Sequence, residues 1–288
     1  MAAMLSRRMV WMALAASTLL GGCAQLELLD AVTPAEAAQR TRDVPYGSLP
    51  RQTLDLYVPS TAAAPRPVVV FFYGGGWRSG AKEPYRFVAE TLTREGVVVA
   101  IPDYRLVPDV RFPGFVEDSA AAVAWVRRNI ERFGGDPRRV FIAGHSAGAY
   151  NAVMLALDPR FLAAQGLPTS AVAGVIGISG PYDFLPLRGR MLNDAFGEAA
   201  ELAATQPVAL ARADAPPLLL FNGSADRLVA PRNAVTLAER VRERGGRARS
   251  AIYEGSGHVD IMAGLSTVLR GNSPLLAEIM AFVADPTR

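Results

Sequence analysis

Between Pro67 and Tyr73 the chain reads Pro-Val-Val-Val-Phe-Phe-Tyr, an apolar run with no polar break. Residues 97–101, 140–143, 172–179 and 218–222 repeat the pattern. A strand with one wet face alternates apolar and polar residues. A run that does not alternate is covered on both faces, which is the condition of a parallel sheet. Residues 53–58, closed by Pro59, and 247–253 add two further strands. Between the runs the period changes. Val116, Ala120, Val123, Ala124, Arg127 and Ile130 recur at helical spacing over 115–133, and Gly134-Gly135 ends that helix. Residues 84–94, 231–244 and 273–283 read as helices as well. Strands alternating with helices predict an α/β fold with a mainly parallel central sheet and helices on both faces. Residues 183–212 hold scattered Pro and Gly with no strand signal, and are read as a short helical cap.

The N-terminal pattern is different. Arg7-Arg8 precedes an apolar run over 9–20 that is too short to span a bilayer comfortably, and Leu20-Gly-Gly-Cys23 closes it. This resembles a bacterial lipoprotein signal, in which cleavage before the cysteine frees its thiol for lipidation. Ser6-Arg7-Arg8 also fits a twin-arginine export signal. The expected organisation is a signal over 1–22, a lipidated tether over 23–45 and one domain over 46–288. That implies a lipid-anchored protein of the bacterial cell envelope, facing the periplasm or the outer surface. Cys23 is the only cysteine among 288 residues, so an intrachain disulfide is excluded. Lys and Arg number 30 against 27 Asp and Glu, and the leader takes two of the arginines. The remaining balance gives no reason to expect nucleic acid as a partner.

Candidate chemistry sits where a parallel sheet places it, in the loops after strands. Gly144-His-Ser146-Ala-Gly148 lies between an apolar strand and an Ala-rich helical run, so Ser146 stands at the apex of a strand–turn–helix. A serine hydroxyl needs a base to take its proton, and the base needs a carboxylate to fix its tautomer. Only two histidines exist. His145 adjoins the serine and is expected to point away from it in a structural role. His258, in Gly255-Ser-Gly-His, is the candidate base. Asp226, after the 218–222 strand, is the preferred acid. Asp183 also follows a strand and is the alternative, though it is expected to cap local backbone N–H groups. Gly74-Gly75-Gly76, after the 67–73 strand, offers unobstructed backbone N–H groups. With the N–H of Ala147, those of Gly75 and Gly76 are expected to form an oxyanion hole. No metal or cofactor is needed for this chemistry.

With these parts the chain resembles the α/β-hydrolase esterases that include hormone-sensitive-lipase-like, feruloyl-esterase-like and kynurenine-formamidase-like enzymes. The resemblance covers roughly residues 45–285. It rests on Tyr73-Gly-Gly-Gly-Trp77, Asp103-Tyr-Arg-Leu-Val-Pro108, Phe112-Pro113, Glu117-Asp118, Gly134-Gly-Asp-Pro137, the Ser146 turn, Gly180-Pro-Tyr-Asp-Phe184 and the Asp226 and His258 loops. It implies a Ser146–Asp226–His258 triad with Gly75, Gly76 and Ala147 donating to the oxyanion. One departure is Tyr73, where the family often has a histidine that orders the loop; the Tyr73 hydroxyl is the expected substitute. Trp77, Tyr182 and Phe184 are candidates for the pocket wall, with core packing as the other reading of each. The short cap favours small to medium acyl esters. Amide, formamide or peptide hydrolysis on the same fold, and a non-catalytic binding lipoprotein, are the alternatives.

Overall fold

The computed structural model describes residues 22–35, 38–61 and 65–287, without the side chains of Gly22 and Cys23. The leader expected over 1–22 lies outside the described residues apart from Gly22, and so does the Cys23 thiol.

Helix α1 (Gly22–Ala31) precedes strands β1 (Ala38–Pro45), β2 (Thr53–Pro59) and β3 (Arg66–Phe72). Then follow α2 (Arg86–Arg94), β4 (Val98–Pro102), α3 (Gly114–Asn129), β5 (Gly135–His145), α4 (Ala147–Leu157) and α5 (Pro159–Ala163). The last third holds β6 (Gly174–Ile178), α6 (Gly189–Phe196), β7 (Leu218–Gly223), α7 (Arg232–Glu243), β8 (Ala248–Tyr253) and α8 (Leu275–Ala284). The eight strands form one sheet in the order β1-β2-β4-β3-β5-β6-β7-β8. β2 runs antiparallel to both β1 and β4, and every other pair is parallel.

The unbroken apolar runs become the central strands. Every residue of β4, β6 and β7 is buried, which requires cover on both faces. Fully burying each Val, Leu or Phe there stabilises by about 1.5–3 kcal/mol. The register aligns Phe72 with Gly144, His145 with Ile178, Ile178 with Phe221 and Gly223 with Tyr253. Parallel strands in this register send the loops after β3, β5, β6, β7 and β8 to one edge of the sheet. The cap expected over 183–212 consists of α6 and short 3-10 turns at Leu202–Thr205 and Pro207–Leu210.

The tether reading of 23–45 needs correction. Residues 38–45 pair along the whole of β2, and α1 is docked on the domain. Leu26 and Leu29 are buried, and the Arg86 guanidinium donates to the Asp30 carbonyl oxygen at 2.6 Å. The sequence Ala-Gln-Arg-Thr-Arg-Asp-Val-Pro carries no apolar alternation because β1 is an edge strand. Charge and ladder bonds hold it instead. Arg40 pairs with the fully buried Asp55 and lies over the Tyr57 ring, 5.3 Å from its centroid. The Asp43 N–H donates to the other Asp55 oxygen at 2.9 Å.

Candidate active site

Strand β5 ends at His145 and α4 starts at Ala147, so the chain must turn within one residue. Ser146 takes φ +55° and ψ −121° to do so. A non-glycine residue held there costs about 1–3 kcal/mol, supplied by the packing around it. Strand and helix close this tightly only without side chains at two places. A Cβ on Gly144 would collide with the Gly148 backbone, and one on Gly148 with the Phe72 carbonyl. The Ser146 N–H donates to the Ile178 carbonyl at 2.8 Å, tying the turn to β6. Ser146 borders a cavity of about 800 Å³, with the N-terminus of α4 beneath it.

Two residues far away in the chain meet this serine. His258 Nε2 lies 2.9 Å from Ser146 Oγ, and Nδ1 lies 2.8 Å from Asp226 Oδ2. A carboxylate only accepts, so Nδ1 carries the proton and the Nε2 lone pair faces the serine hydroxyl. Asp226 is fixed from four sides. The Leu228 and Val229 N–H groups donate to Oδ1 at 2.9 and 2.8 Å, and Asn222 Nδ2 and His258 donate to Oδ2. Burial raises the Asp226 pKa, but the His258 hydrogen bond and charge and these N–H groups outweigh it. The carboxyl sits below the usual carboxylate range. The alternative acid, Asp183, is exposed and makes no side-chain hydrogen bond among the described residues. Its own N–H is held by Asn233 Oδ1 at 2.9 Å, so it does not cap the turn as expected.

His145 has the structural role expected of it. It is buried, and its Nε2–H donates to the His258 carbonyl at 3.0 Å. Its Nδ1 accepts from the Tyr85 hydroxyl at 3.0 Å, and that oxygen in turn accepts the Gly74 N–H at 3.1 Å. One chain of hydrogen bonds thus joins the glycine loop to the loop of the candidate base. Tyr85 does the ordering that the sequence assigned to Tyr73. The Tyr73 hydroxyl instead accepts from Arg51 at 2.6 Å, with its ring stacked on Tyr104. Nothing in the sequence marks Tyr85. Asn222 does carry a signal, as the polar residue ending the apolar run of β7. Gly75, Gly76 and Ala147 all border the cavity beside Ser146 and His258. The N–H groups of Gly75 and Gly76 have no partner among the described residues.

The expected aromatic wall is only partly present. Phe184 lines the cavity and packs on Phe196 of the cap, centroids 5.0 Å apart. Trp77 borders the cavity, but its ring is buried against Phe115, Tyr150 and Phe196. Its Nε1–H donates to Asn151 at 3.1 Å. Tyr182 is wholly buried and off the cavity wall, its side chain turned in against the Gly177 and Gly180 backbone. Trp77 went inward because cap and core close on an aromatic cluster, and Tyr182 because Gly177 and Gly180 leave room for its ring. The walls the sequence did not announce are Met191 and Leu192 of α6, Leu228, and Leu26 of α1.

The model of the BD-FAE family matches residues 54–241. The chain is 32% identical to isoprenylcysteine α-carbonyl methylesterase ICME of Arabidopsis thaliana, over 81% of its own length and 59% of that protein's. It is also 32% identical to the esterase LipC of Mycobacterium tuberculosis, over 78% and 61%. The chain therefore spans about 60% of the length of these curated relatives. The propionate-bound esterase Est2 of the Planctomycetes species Thermogutta terrifontis superposes with a TM-score of 0.70 at 26% identity, covering 87% of this chain and 96% of that one. The sheet, its helices and this likeness are those of an α/β-hydrolase. With the family model matching well over half of its residues, the chain belongs to the BD-FAE family.

Proposed function

We propose that this protein is a serine carboxylesterase acting on small to medium acyl esters through an acyl-enzyme intermediate. The observation that carries the reading is the hydrogen-bonded series Ser146–His258–Asp226, at 2.9 and 2.8 Å, on the wall of the cavity. Ser146 Oγ attacks the ester carbonyl carbon as His258 Nε2 takes the hydroxyl proton. Asp226 holds the imidazole in its working tautomer and stabilises the imidazolium. Negative charge gathers on the former carbonyl oxygen, where the N–H groups of Gly75, Gly76 and Ala147 donate to it. The C–O bond to the alcohol breaks, His258 gives the alcohol its proton, and the acyl group stays on Ser146. Water repeats the attack with His258 as base, releasing the acid and restoring the serine. The propionate in the Thermogutta esterase is an acid of the class such a reaction releases, which supports short acyl chains. The lipoprotein-like Leu20-Gly-Gly-Cys23 supports an anchor at Cys23 that holds the enzyme to the cell envelope.

Ser146→Ala tests the reading directly. The variant should keep its melting temperature, lose the adduct with a fluorophosphonate probe, and lose at least about 10⁴ in kcat on p-nitrophenyl butyrate. Turnover at the wild-type rate would remove Ser146 from the chemistry.

A further inference from the structure

Three of the six large hydrophobic side chains exposed among the described residues gather at the cavity. Leu228 is 65% exposed, Leu185 38% and Met191 37%, and all three line the cavity. Exposed apolar groups gathered around a site mark a surface built to be covered. Arginines stand among them. Arg188 and Arg232 line the same opening, and Arg227 precedes Leu228. All three are exposed and without an ion-pair partner among the described residues. Glu27 and Asp183 balance Arg188 and Arg232 in the lining, and the exposed Arg227 beside Leu228 adds one further positive charge.

The course of the chain says what covers the rim. Helix α1 contributes Leu26 and Glu27 to the cavity lining, and its first turn contains Cys23. At about 1.5 Å of rise per residue, residue 23 lies roughly 5 Å along the helix axis from Leu26. The apolar run of 9–20 ends just before this helix. A lipidated Cys23 therefore brings a bilayer to within about one helical turn of Leu26. Apolar side chains interleaved with arginines are the chemistry that rests on an anionic phospholipid surface.

We propose that the mouth of the cavity lies against an anionic phospholipid bilayer and that the esters it takes are amphiphiles held in that bilayer. The proposal rests on the esterase reading for its substrate, and on the rim and the place of α1 for its surface. Leu185, Met191 and Leu228 enter the headgroup–acyl boundary, and Arg188, Arg227 and Arg232 meet lipid phosphates. An ester in the leaflet facing the cavity then reaches Ser146 with its chain still largely out of water.

The test uses the mature chain, residues 23–288 without lipid on Cys23, which retains every element of the fold. It should float with vesicles of phosphatidylglycerol and phosphatidylcholine and remain behind with phosphatidylcholine alone. Leu185→Glu with Leu228→Glu should cut the floated fraction about tenfold at an unchanged melting temperature, since two apolar insertions are lost. The double variant should also lose more kcat/KM on p-nitrophenyl palmitate in those vesicles than on dissolved p-nitrophenyl butyrate. Failure of the parent chain to float, or equal flotation of the double variant, overturns the surface. Equal losses on the two esters overturn the substrate class. Fluorophosphonate labelling of Ser146 is read separately, so a chain that floats but takes no label overturns the esterase reading and leaves the surface standing.

Discussion

His145 shows how much one side chain carries when its surroundings are closed. Burial, reinforced by the neighbouring His258, pushes its pKa down to about 3, so the ring stays neutral in the fold. Neutrality is what its partners need, since Nδ1 must accept from Tyr85 while Nε2 donates to the His258 carbonyl. In the unfolded chain a histidine takes its proton near pH 6.5. Above that pH both states are neutral and His145 adds no pH dependence. Below it the unfolded chain binds a proton that the native state refuses, so stability is lost as pH falls from about 6.5 toward 3. The slope is about 1.4 kcal/mol per pH unit. Asp226, whose carboxyl is held below the usual carboxylate range, adds its own loss only under its unfolded value near pH 4. Unfolding free energy followed from pH 7 to 4.5 should therefore fall with about a one-proton slope that His145→Asn flattens. The same slope in the variant would place the titration elsewhere.

At the scale of elements, the loop after β3 is the informative one. Gly75 stands at φ +130° and Gly76 at φ +60°, both in the left-handed region, so any side chain there strains the backbone. The surroundings separate the two. A Cβ on Gly75 would strike the Ser79 carbonyl, which is backbone and cannot move away alone. On Gly76 it would meet the thioether of Met191, the far end of a flexible side chain. Gly75→Ala should displace the loop and cost about 10²–10³ in kcat, the typical loss of one oxyanion donor. Gly76→Ala should cost less than a tenth of that. Steady-state kinetics on one soluble ester decides it, and the reverse order would mean that Gly75 N–H is not a donor. The cap is a second such element. Phe196 of α6 meets Trp77, Phe115, Tyr150 and Phe184, so cap and core close on one cluster.

Across the whole molecule, the N-terminal segment is joined to the domain by buried charge. Lys82 is almost fully enclosed, with Asp43 at 2.8 Å, Asp103 at 3.0 Å and Asp55 at 3.9 Å. Asp55 is fully buried and also bonds Arg40 and the Asp43 N–H, linking β1 and β2 to the loop before α2. Removing one partner from such a network leaves charge buried without compensation. Asp55→Ala should lower unfolding free energy by about 3–5 kcal/mol in urea denaturation. A loss under about 1 kcal/mol would show β1 to be an appendage after all. Asp55 is not among the residues lining the cavity, so the variant's remaining folded fraction should still take a fluorophosphonate label.

The parallel sheet and the strand-end loops that form the candidate site were legible in the residues. Unbroken Val-Val-Val-Phe-Phe and Leu-Leu-Leu-Phe runs are stable only when both faces are covered, and parallel strands send their following loops to one edge. Ser146, Asp226 and His258 stand after such strands, so topology brings them to one edge, but Asp183 stands there too and only the His258 hydrogen bond singles out Asp226. The glycine loop was legible for the same reason. Other features depend on contacts between residues far apart in the chain, and no local period encodes those. Tyr85 meets His145 sixty residues on. Arg40 is specified by Asp55, and β1 has no hydrophobic alternation because an edge strand is held by its partner's ladder and charges. Trp77 and Tyr182 turned inward because aromatic rings can fill a core as well as line a pocket, and their identity does not choose between the two. Only tertiary packing decided it, because the cap closes on Trp77 while Gly177 and Gly180 open room in the core for the Tyr182 ring.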